Sequence, residues 1–141
     1  MPIVEHSVDV AAPPAECFRV FADLEAWPRW FPYLARAAGE LRVGGKLELT
    51  FAAGEKPIPI TVAIEELAPQ SLIRWSGGAY GLRGRHTHSF ASNDTGGTRV
   101  AWREEISGFA ARLITRRLLE RIDLEVQTAM GKLKALVEGR A

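Results

Sequence analysis

The chain has 141 residues, enough for one domain with a sizeable hydrophobic core and too few for two ordinary domains. Hydrophobic residues make up 47% and charged residues 25%, a globular composition that disfavours disorder, collagen-like structure and coiled coils. Eighteen basic against seventeen acidic residues leave a formal charge of +1, which gives no support to nucleic-acid binding through phosphate neutralisation.

The single cysteine and the N-terminal residues bear on the cellular compartment. Cys17 alone excludes an intrachain disulfide and any multi-cysteine metal site. The chain does not begin with a basic segment and an unbroken apolar stretch, and no run of about 18 apolar residues occurs. We therefore expect one domain, residues 1–141, in the cytoplasm and without stable membrane insertion.

The first third of the chain predicts one strand followed by two short helices. Residues 3–11 alternate between apolar and polar side chains, as in a half-buried strand. Two prolines follow, and apolar residues then recur at helical spacing up to about Ala22, which predicts a short amphipathic helix. Asp23 is placed to cap a second helix, which Pro28 breaks and Pro32 ends.

The middle of the chain predicts an antiparallel sheet, because short strands alternate with turns and no segment is long enough for a crossover helix. A loose loop is expected at residues 76–81, and Pro57 and Pro59 favour an edge position for the strand that contains them. The predicted strands cover residues 46–51, 58–64, 73–75, 82–91 and 98–106.

The last part of the chain predicts a long helix. Residues 108–138 contain no proline and carry an apolar stripe from Leu119 to Val137. A helix of roughly 30 residues would be about 45 Å long at 1.5 Å per residue. The complete pattern is that of an α+β domain, with about seven antiparallel strands, two short helices after the first strand, and the long C-terminal helix across one sheet face.

Six local runs and their order along the chain carry a resemblance to a known family. The runs are residues 8–18 (VDVAAPPAECF), 23–30 (DLEAWPRW), 42–45 (RVGG), 72–75 (LIRW), 84–90 (GRHTHSF) and 97–100 (GTRV). In this order they resemble the SRPBCC superfamily, which includes START-like lipid carriers, polyketide cyclase/dehydrase-like proteins and the major birch pollen allergen. The resemblance covers essentially the whole chain.

The resemblance implies a helix-grip fold, in which a strongly bent antiparallel sheet wraps around the C-terminal helix and leaves a cavity between them. It also implies binding of lipids, sterols, polyketides or plant metabolites, with catalysis in a minority of members. The hydrophobic pattern does not itself establish a cavity, because a filled interior has the same periodicity.

Two histidines and one glutamate form the sharpest local hypothesis. His86 and His88 share a strand face with Phe90 because side chains alternate with a period of two, and Glu104 shares the inward face of the next strand. A nearby Glu104 would favour the protonated imidazole. Three interpretations stay open: a mutually satisfied core pair, a polar anchor for an apolar ligand, or acid–base catalysis.

Other chemistry has less support in the sequence. A His-x-His pair with Glu104 or His6 would suit a metal ion, but no complete ligand set is recognisable, so we predict no metal and no cofactor. Tyr80 lies in a glycine-rich segment that would act either as a simple hairpin connection or as a gate at a cavity mouth. Arginines at positions 112, 116, 117 and 121 form a local basic stripe at the start of the predicted long helix. This stripe is either solvated or contacts an anionic ligand headgroup or a membrane surface.

The leading hypothesis is a protein, monomeric or homodimeric, that binds a lipid-like or polyketide-like small molecule between the sheet and the C-terminal helix. One alternative is a cyclase or dehydrase in which His86 or His88 moves a proton, Glu104 sets its basicity and Tyr80 donates to an oxyanion. Another is a domain that modulates a partner protein. The predicted ligand-binding residues are Leu49, Phe51, Ile60, Val62, Ile73, Trp75, Tyr80, His86, His88, Trp102, Glu104, Val126 and Met130.

Overall fold

The computed structural model describes residues 2–53 and 56–139. In this part of the chain, seven strands form one antiparallel sheet in the order β1-β7-β6-β5-β4-β3-β2. The strands are β1 (Ile3–Val10), β2 (Leu34–Gly39), β3 (Lys46–Ala53), β4 (Lys56–Ala68), β5 (Leu72–Ala79), β6 (Leu82–Ser92) and β7 (Thr98–Ser107). The predicted antiparallel α+β fold with about seven strands is confirmed.

One face of the sheet packs against the hydrophobic core. The alternation of apolar and polar residues along each strand determines which side chains lie on that inner face. In β3, Leu47 and Leu49 are fully buried, whereas Lys46 and Glu48 are exposed. The same alternation puts Val100, Trp102 and Ile106 of β7 on the inner face. Burial of these apolar side chains is the main favourable contribution to folding.

Two short helical segments connect β1 to β2. Helix α1 (Pro14–Ala22) begins with proline, whose missing N–H costs nothing in a first turn. A 3-10 turn (Leu24–Ala26) then leads into α2 (Trp27–Trp30). The Asp23 side chain makes no capping hydrogen bond to this second segment, so the predicted cap is wrong, although the helical segment itself is present.

The C-terminal helix is shorter than the sequence predicts. A 3-10 segment (Phe109–Leu113) comes first, and α3 (Arg116–Val137) follows with 22 residues, about 33 Å. The Thr115 hydroxyl accepts a hydrogen bond of 3.1 Å from the Leu118 N–H and so caps the helix. This cap explains why the helix begins at residue 116 although no proline precedes it. None of the helices in the described ranges is long and apolar enough to cross a membrane.

Strand β2 has no counterpart among the strands placed from the sequence. Its residues are mostly alanine, arginine and glycine, without the β-branched and aromatic side chains typical of strands. Only Leu34 and Ala37 are buried, and the register with β3 shifts between Leu34 and Arg36. The weak alternation therefore left no signal in the sequence.

Residues 76–79 form the second half of β5, and residues 80 and 81 form a tight turn, instead of the predicted loose loop. Tyr80 and Gly81 both have positive φ, 56° and 78°, as in a two-residue hairpin turn of type I′. Gly78 is needed for close packing, because a Cβ there would lie 2.1 Å from the Leu82 carbonyl oxygen. The glycines thus permit a close backbone approach and do not indicate flexibility.

The prediction of an edge strand from Pro57 and Pro59 is wrong for β4 as a whole, which lies between β3 and β5. The pairing explains how the prolines are tolerated. They face β3 on one side, while β5 pairs with β4 only from Val62 onward. Each proline therefore lies where only one neighbouring strand is present, and the other side of its backbone requires no ladder hydrogen bond.

Candidate functional site

A cavity of about 320 Å³ lies between the inner face of the sheet and the start of α3. Strands β3 to β7 form one wall, and Ile114, Leu118 and Ile122 form the other. Most of the lining is aliphatic or aromatic, and the polar side chains are Tyr80, Arg83, His86 and Glu104. The lining residues are Phe51, Ile58, Ile60, Val62, Trp75, Gly77, Gly78, Ala79, Tyr80, Leu82, Arg83, Gly84, His86, Glu104, Ile106, Ile114, Leu118 and Ile122.

His86 and Glu104 lie directly opposite each other in the β6–β7 pair. His86 Nδ1 is 3.4 Å from Glu104 Oε1, and the two side chains are only 12% and 14% exposed. The atoms attract electrostatically without hydrogen-bond alignment, so Nδ1 has no hydrogen-bond partner among the described residues. The alternation of side chains along β6 and β7 thus places His86 and Glu104 side by side on the inner face, as the sequence pattern predicts.

Trp75 and Gly84 fix how the imidazole of His86 faces the cavity. The Trp75 and His86 rings stack with centroids 3.8 Å apart and planes 9° apart. A Cβ at Gly84 would lie 3.5 Å from His86 Nε2. The missing side chain at Gly84 therefore leaves space beside Nε2, and Gly84 itself lines the cavity.

Burial governs the protonation of His86. Loss of hydration lowers the pKa of the imidazole below its ordinary value of 6.5, and attraction by Glu104 opposes this shift with the smaller effect. Glu104 does favour the protonated imidazole, as expected from the sequence, but the loss of hydration on burial, which the sequence pattern does not show, has the larger effect. His86 is a neutral acceptor and donor near neutral pH.

His88 lies in the core and does not line the cavity. Its side chain is 1% exposed and is surrounded by Phe21 and Trp102, with ring centroids 4.6 Å and 4.7 Å away. Its Nε2 atom has no hydrogen-bond partner among the described residues. Burial first, and His86 second, hold the pKa of His88 well below its ordinary value.

Rings of α1 and α2 fill the interior beyond the cavity. Together with β-strand side chains, Phe21, Trp27 and Trp30 enclose a space that leaves no room for a water molecule. This filling explains why several predicted ligand-binding residues lie in the packed interior instead of at the cavity. Those residues are Leu49, Ile73, His88, Trp102, Val126 and Met130. Those that line the cavity are Phe51, Ile60, Val62, Trp75, Tyr80, His86 and Glu104.

Sequence reasoning missed two charged side chains near the site. Arg83 lines the cavity and donates a hydrogen bond of 2.8 Å to Ser76 Oγ. Glu125 of α3 pairs with Arg121 at 3.5 Å, and burial first, with repulsion from Glu104 adding to it, raises the pKa of Glu125. The sequence did contain a signal for Glu125, because it lies three residues after Ile122 and residues at that spacing share a helix face.

The side chains that the sequence offers as metal ligands do not come together as a complete set in the described part of the chain. Over residues 2–53 and 56–139, no group of three or more His, Cys, Asp or Glu side chains is arranged to hold a metal ion. His6, one of the considered ligands, instead has its Nε2 atom 2.7 Å from Asp123 Oδ1 on α3. This pair joins β1 to the helix.

The fold of the chain is similar to that of several solved structures. The Zhui aromatase/cyclase from Streptomyces sp. R1128 superposes with a TM-score of 0.80 at 18% identity, covering 99% of this chain and 94% of that one. Ara h 8.0201 gives 0.78 at 13% identity, with 98% of both chains covered. TTHA0849 from Thermus thermophilus gives 0.78 at 19% identity, with 99% of both covered. At these identities the likeness establishes the helix-grip fold and nothing about activity.

Comparison of the sequence itself gives the family. No curated protein matches the chain in sequence. A family model described as polyketide cyclase / dehydrase and lipid transport matches residues 1–138. This match covers nearly the whole chain and confirms the SRPBCC resemblance. The chain belongs to the polyketide cyclase / dehydrase and lipid transport family.

Proposed function

We propose that the protein binds a small apolar or amphipathic molecule that carries a carbonyl or hydroxyl group. The observation that supports this most is an apolar cavity of about 320 Å³ with the His86–Glu104 pair in its wall. This volume lies near the lower end of the range typical of ligand sites, roughly 300 to 1,000 Å³. The guest is accordingly a compact molecule, for example a fused-ring or short acyl compound.

His86 supplies the polar recognition. Because Nδ1 is buried against Glu104, Nε2 is the nitrogen that meets the guest. In a neutral imidazole, Nε2 accepts a hydrogen bond from a hydroxyl in one tautomer and donates one to a carbonyl in the other. The remaining wall is largely aliphatic, so the guest's other atoms contribute mainly by leaving water. Trp75 stacks on the imidazole and limits its rotation, which keeps the recognition group in place.

Two matched probes test this proposal, 2-naphthol and naphthalene, with affinities measured by titration calorimetry. His86→Phe keeps an aromatic ring against Trp75 and removes both nitrogens. Loss of one hydrogen bond, about 1 kcal/mol, predicts roughly fivefold weaker 2-naphthol binding with naphthalene unchanged. The control His6→Phe makes the same change outside the cavity and leaves both affinities as they were. Equal losses for the two probes in His86→Phe, or no binding to the unmodified protein, would contradict the proposal.

A cyclase activity is the second candidate, supported by a neutral imidazole beside a carboxylate in an apolar cavity. His86 would take a proton from a carbon between two carbonyls of a poly-β-ketone, and Glu104 would stabilise the imidazolium that forms. The resulting carbanion adds to a second carbonyl of the same chain. His86 returns the proton to the new alkoxide, and dehydration then releases water.

Turnover would convert a synthetic poly-β-ketone into a product that has lost one water molecule, and mass spectrometry would detect this loss of mass. Glu104→Gln keeps the shape and removes the charge, and should slow the reaction more than it weakens binding. Recovery of an unchanged poly-β-ketone after long incubation with a protein that binds it would refute turnover and leave the binding function intact. A cytoplasmic location and a single domain over residues 1–141 complete the proposal.

A further inference from the structure

Large apolar side chains are exposed together at the mouth of the cavity. Tyr80, Phe109 and Leu113 are 88%, 80% and 75% exposed. Tyr80 lines the cavity at the β5–β6 turn, and Leu113 precedes Ile114, which lines it from the other side. Isolated apolar side chains on a surface are ordinary, but a group of them beside an apolar cavity indicates an interaction site.

The two segments that carry these side chains are tied together. The Ala110 N–H donates a hydrogen bond of 3.1 Å to the Gly81 carbonyl. The Phe109 ring lies over Gly81 so closely that a Cβ there would be 2.6 Å from it. The β5–β6 turn and the 3-10 segment therefore form one ordered rim, which we call the mouth rim and define as Tyr80, Phe109 and Leu113.

Positive charge flanks the mouth rim. Residues 109–121 contain four arginines and one glutamate. Arg116 pairs with Glu120 at 3.4 Å, and Arg121 pairs with Glu125. Arg112 and Arg117 are exposed and form no ion pair with the described part of the chain. Arg112 directly precedes Leu113 in the chain, and Arg117 lies in the first turn of α3, so two cations without an ion pair among the described residues lie close in sequence to exposed apolar side chains of the mouth rim.

We propose that the mouth rim docks onto the surface of an anionic lipid bilayer. A tyrosine, a phenylalanine and a leucine at protruding turns suit the boundary between headgroups and acyl chains, and adjacent arginines suit anionic headgroups. Docking on a bilayer surface does not require a protein surface of complementary shape; exposed apolar side chains flanked by cations are sufficient. Docking there turns the cavity toward the acyl region, so an apolar guest exchanges without crossing water. The proposal goes beyond guest binding, because docking is measurable without a guest.

Vesicle flotation tests the proposal, with neutral phosphatidylcholine vesicles compared with vesicles that also contain phosphatidylserine. We expect binding to the anionic vesicles and its loss as salt is raised. Neutralising both free arginines in R112Q/R117Q should weaken binding about 25-fold, from about fivefold per cation. Phe109→Ser and Leu113→Ser should each weaken it about tenfold or more, since an apolar side chain no longer enters the bilayer.

Leu124→Ser is the matched control, because Leu124 is 62% exposed on α3 and does not line the cavity. It should bind vesicles as the unmodified protein does. Melting curves of all variants test whether each is folded. If Phe109→Ser does not fold, Leu113→Ser still tests the apolar contribution of the mouth rim.

Absence of binding to anionic vesicles would overturn the proposal, as would losses in Leu124→Ser equal to those at the mouth rim. Binding to poly-L-glutamate without binding to vesicles would also overturn it and would indicate an acidic protein partner. Affinity for 2-naphthol, measured on the same variants, keeps failure of docking distinct from failure of guest binding.

Discussion

Acidification should destabilise this protein through its buried histidines, and His88 gives the clearest test. The imidazole of His88 is 1% exposed, and its pKa in the folded protein is well below the ordinary 6.5. In mild acid the folded protein therefore keeps this imidazole neutral, whereas the unfolded chain binds a proton there. The stabilisation is therefore complete above about pH 6.5 and is lost as the pH falls toward the pKa of the folded state. The limiting slope is about 1.4 kcal/mol per pH unit for each histidine. Between pH 7 and pH 5, His88 alone accounts for about 2 kcal/mol of the loss.

Urea unfolding followed by circular dichroism at pH 7 and pH 5 measures this difference. His88→Leu removes the titrating group, so its free energy of unfolding should fall about 2 kcal/mol less over this interval than that of the unmodified protein. The control Phe21→Leu removes a ring that contacts His88 but leaves the imidazole, and should keep the full pH dependence. If His88→Leu shows the same pH dependence as the unmodified protein, His88 is not kept neutral in the folded state and the reasoning fails.

Three further predictions concern the site and α3. Gly84→Ala places a methyl group 3.5 Å from His86 Nε2, an ordinary contact distance, and should lower 2-naphthol affinity in calorimetry without loss of stability, whereas Gly131→Ala, with no atom within 4 Å of its new methyl group, should leave that affinity unchanged. Because burial raises the pKa of Glu125, its carboxyl favours the fold most below about pH 4.5 and loses this contribution as the pH rises through the folded pKa. Glu125→Gln should therefore raise the free energy of unfolding in urea at pH 7, and a clear loss of stability would contradict this. Thr115→Ala removes the cap of α3 and should cost about 1 kcal/mol in the same assay, and an unchanged value would show that the cap is dispensable.

Alternation and chain order predicted the features that depend on one strand and its neighbour. The pairing of His86 with Glu104 needed only the period of two and an antiparallel partner, and both are visible in the sequence. The start of α3 was misplaced because no proline marks a boundary between residues 108 and 115, while the cap at Thr115 depends on one local hydrogen bond.

How deeply a side chain is buried in the folded protein could not be predicted from the alternation. His86 and His88 share a face and differ by two residues, yet one borders the cavity and the other lies in the core. The difference arises because Phe21 of α1 covers His88, and no property of the β6 sequence encodes how far α1 reaches. The protonation of His86 has the same origin, since the nearby carboxylate is visible in the pattern and the loss of hydration is not.

The four tryptophans of the chain give it a built-in optical reporter. Trp27 lies 5.7 Å from Trp30 and 6.3 Å from Trp75, and Trp30 lies 6.3 Å from Trp102, all between ring centroids. At such separations excitation migrates from one indole to the next before emission. Because Trp75 alone among them borders the cavity, a quenching molecule that occupies the cavity would darken the emission of all four through that single indole.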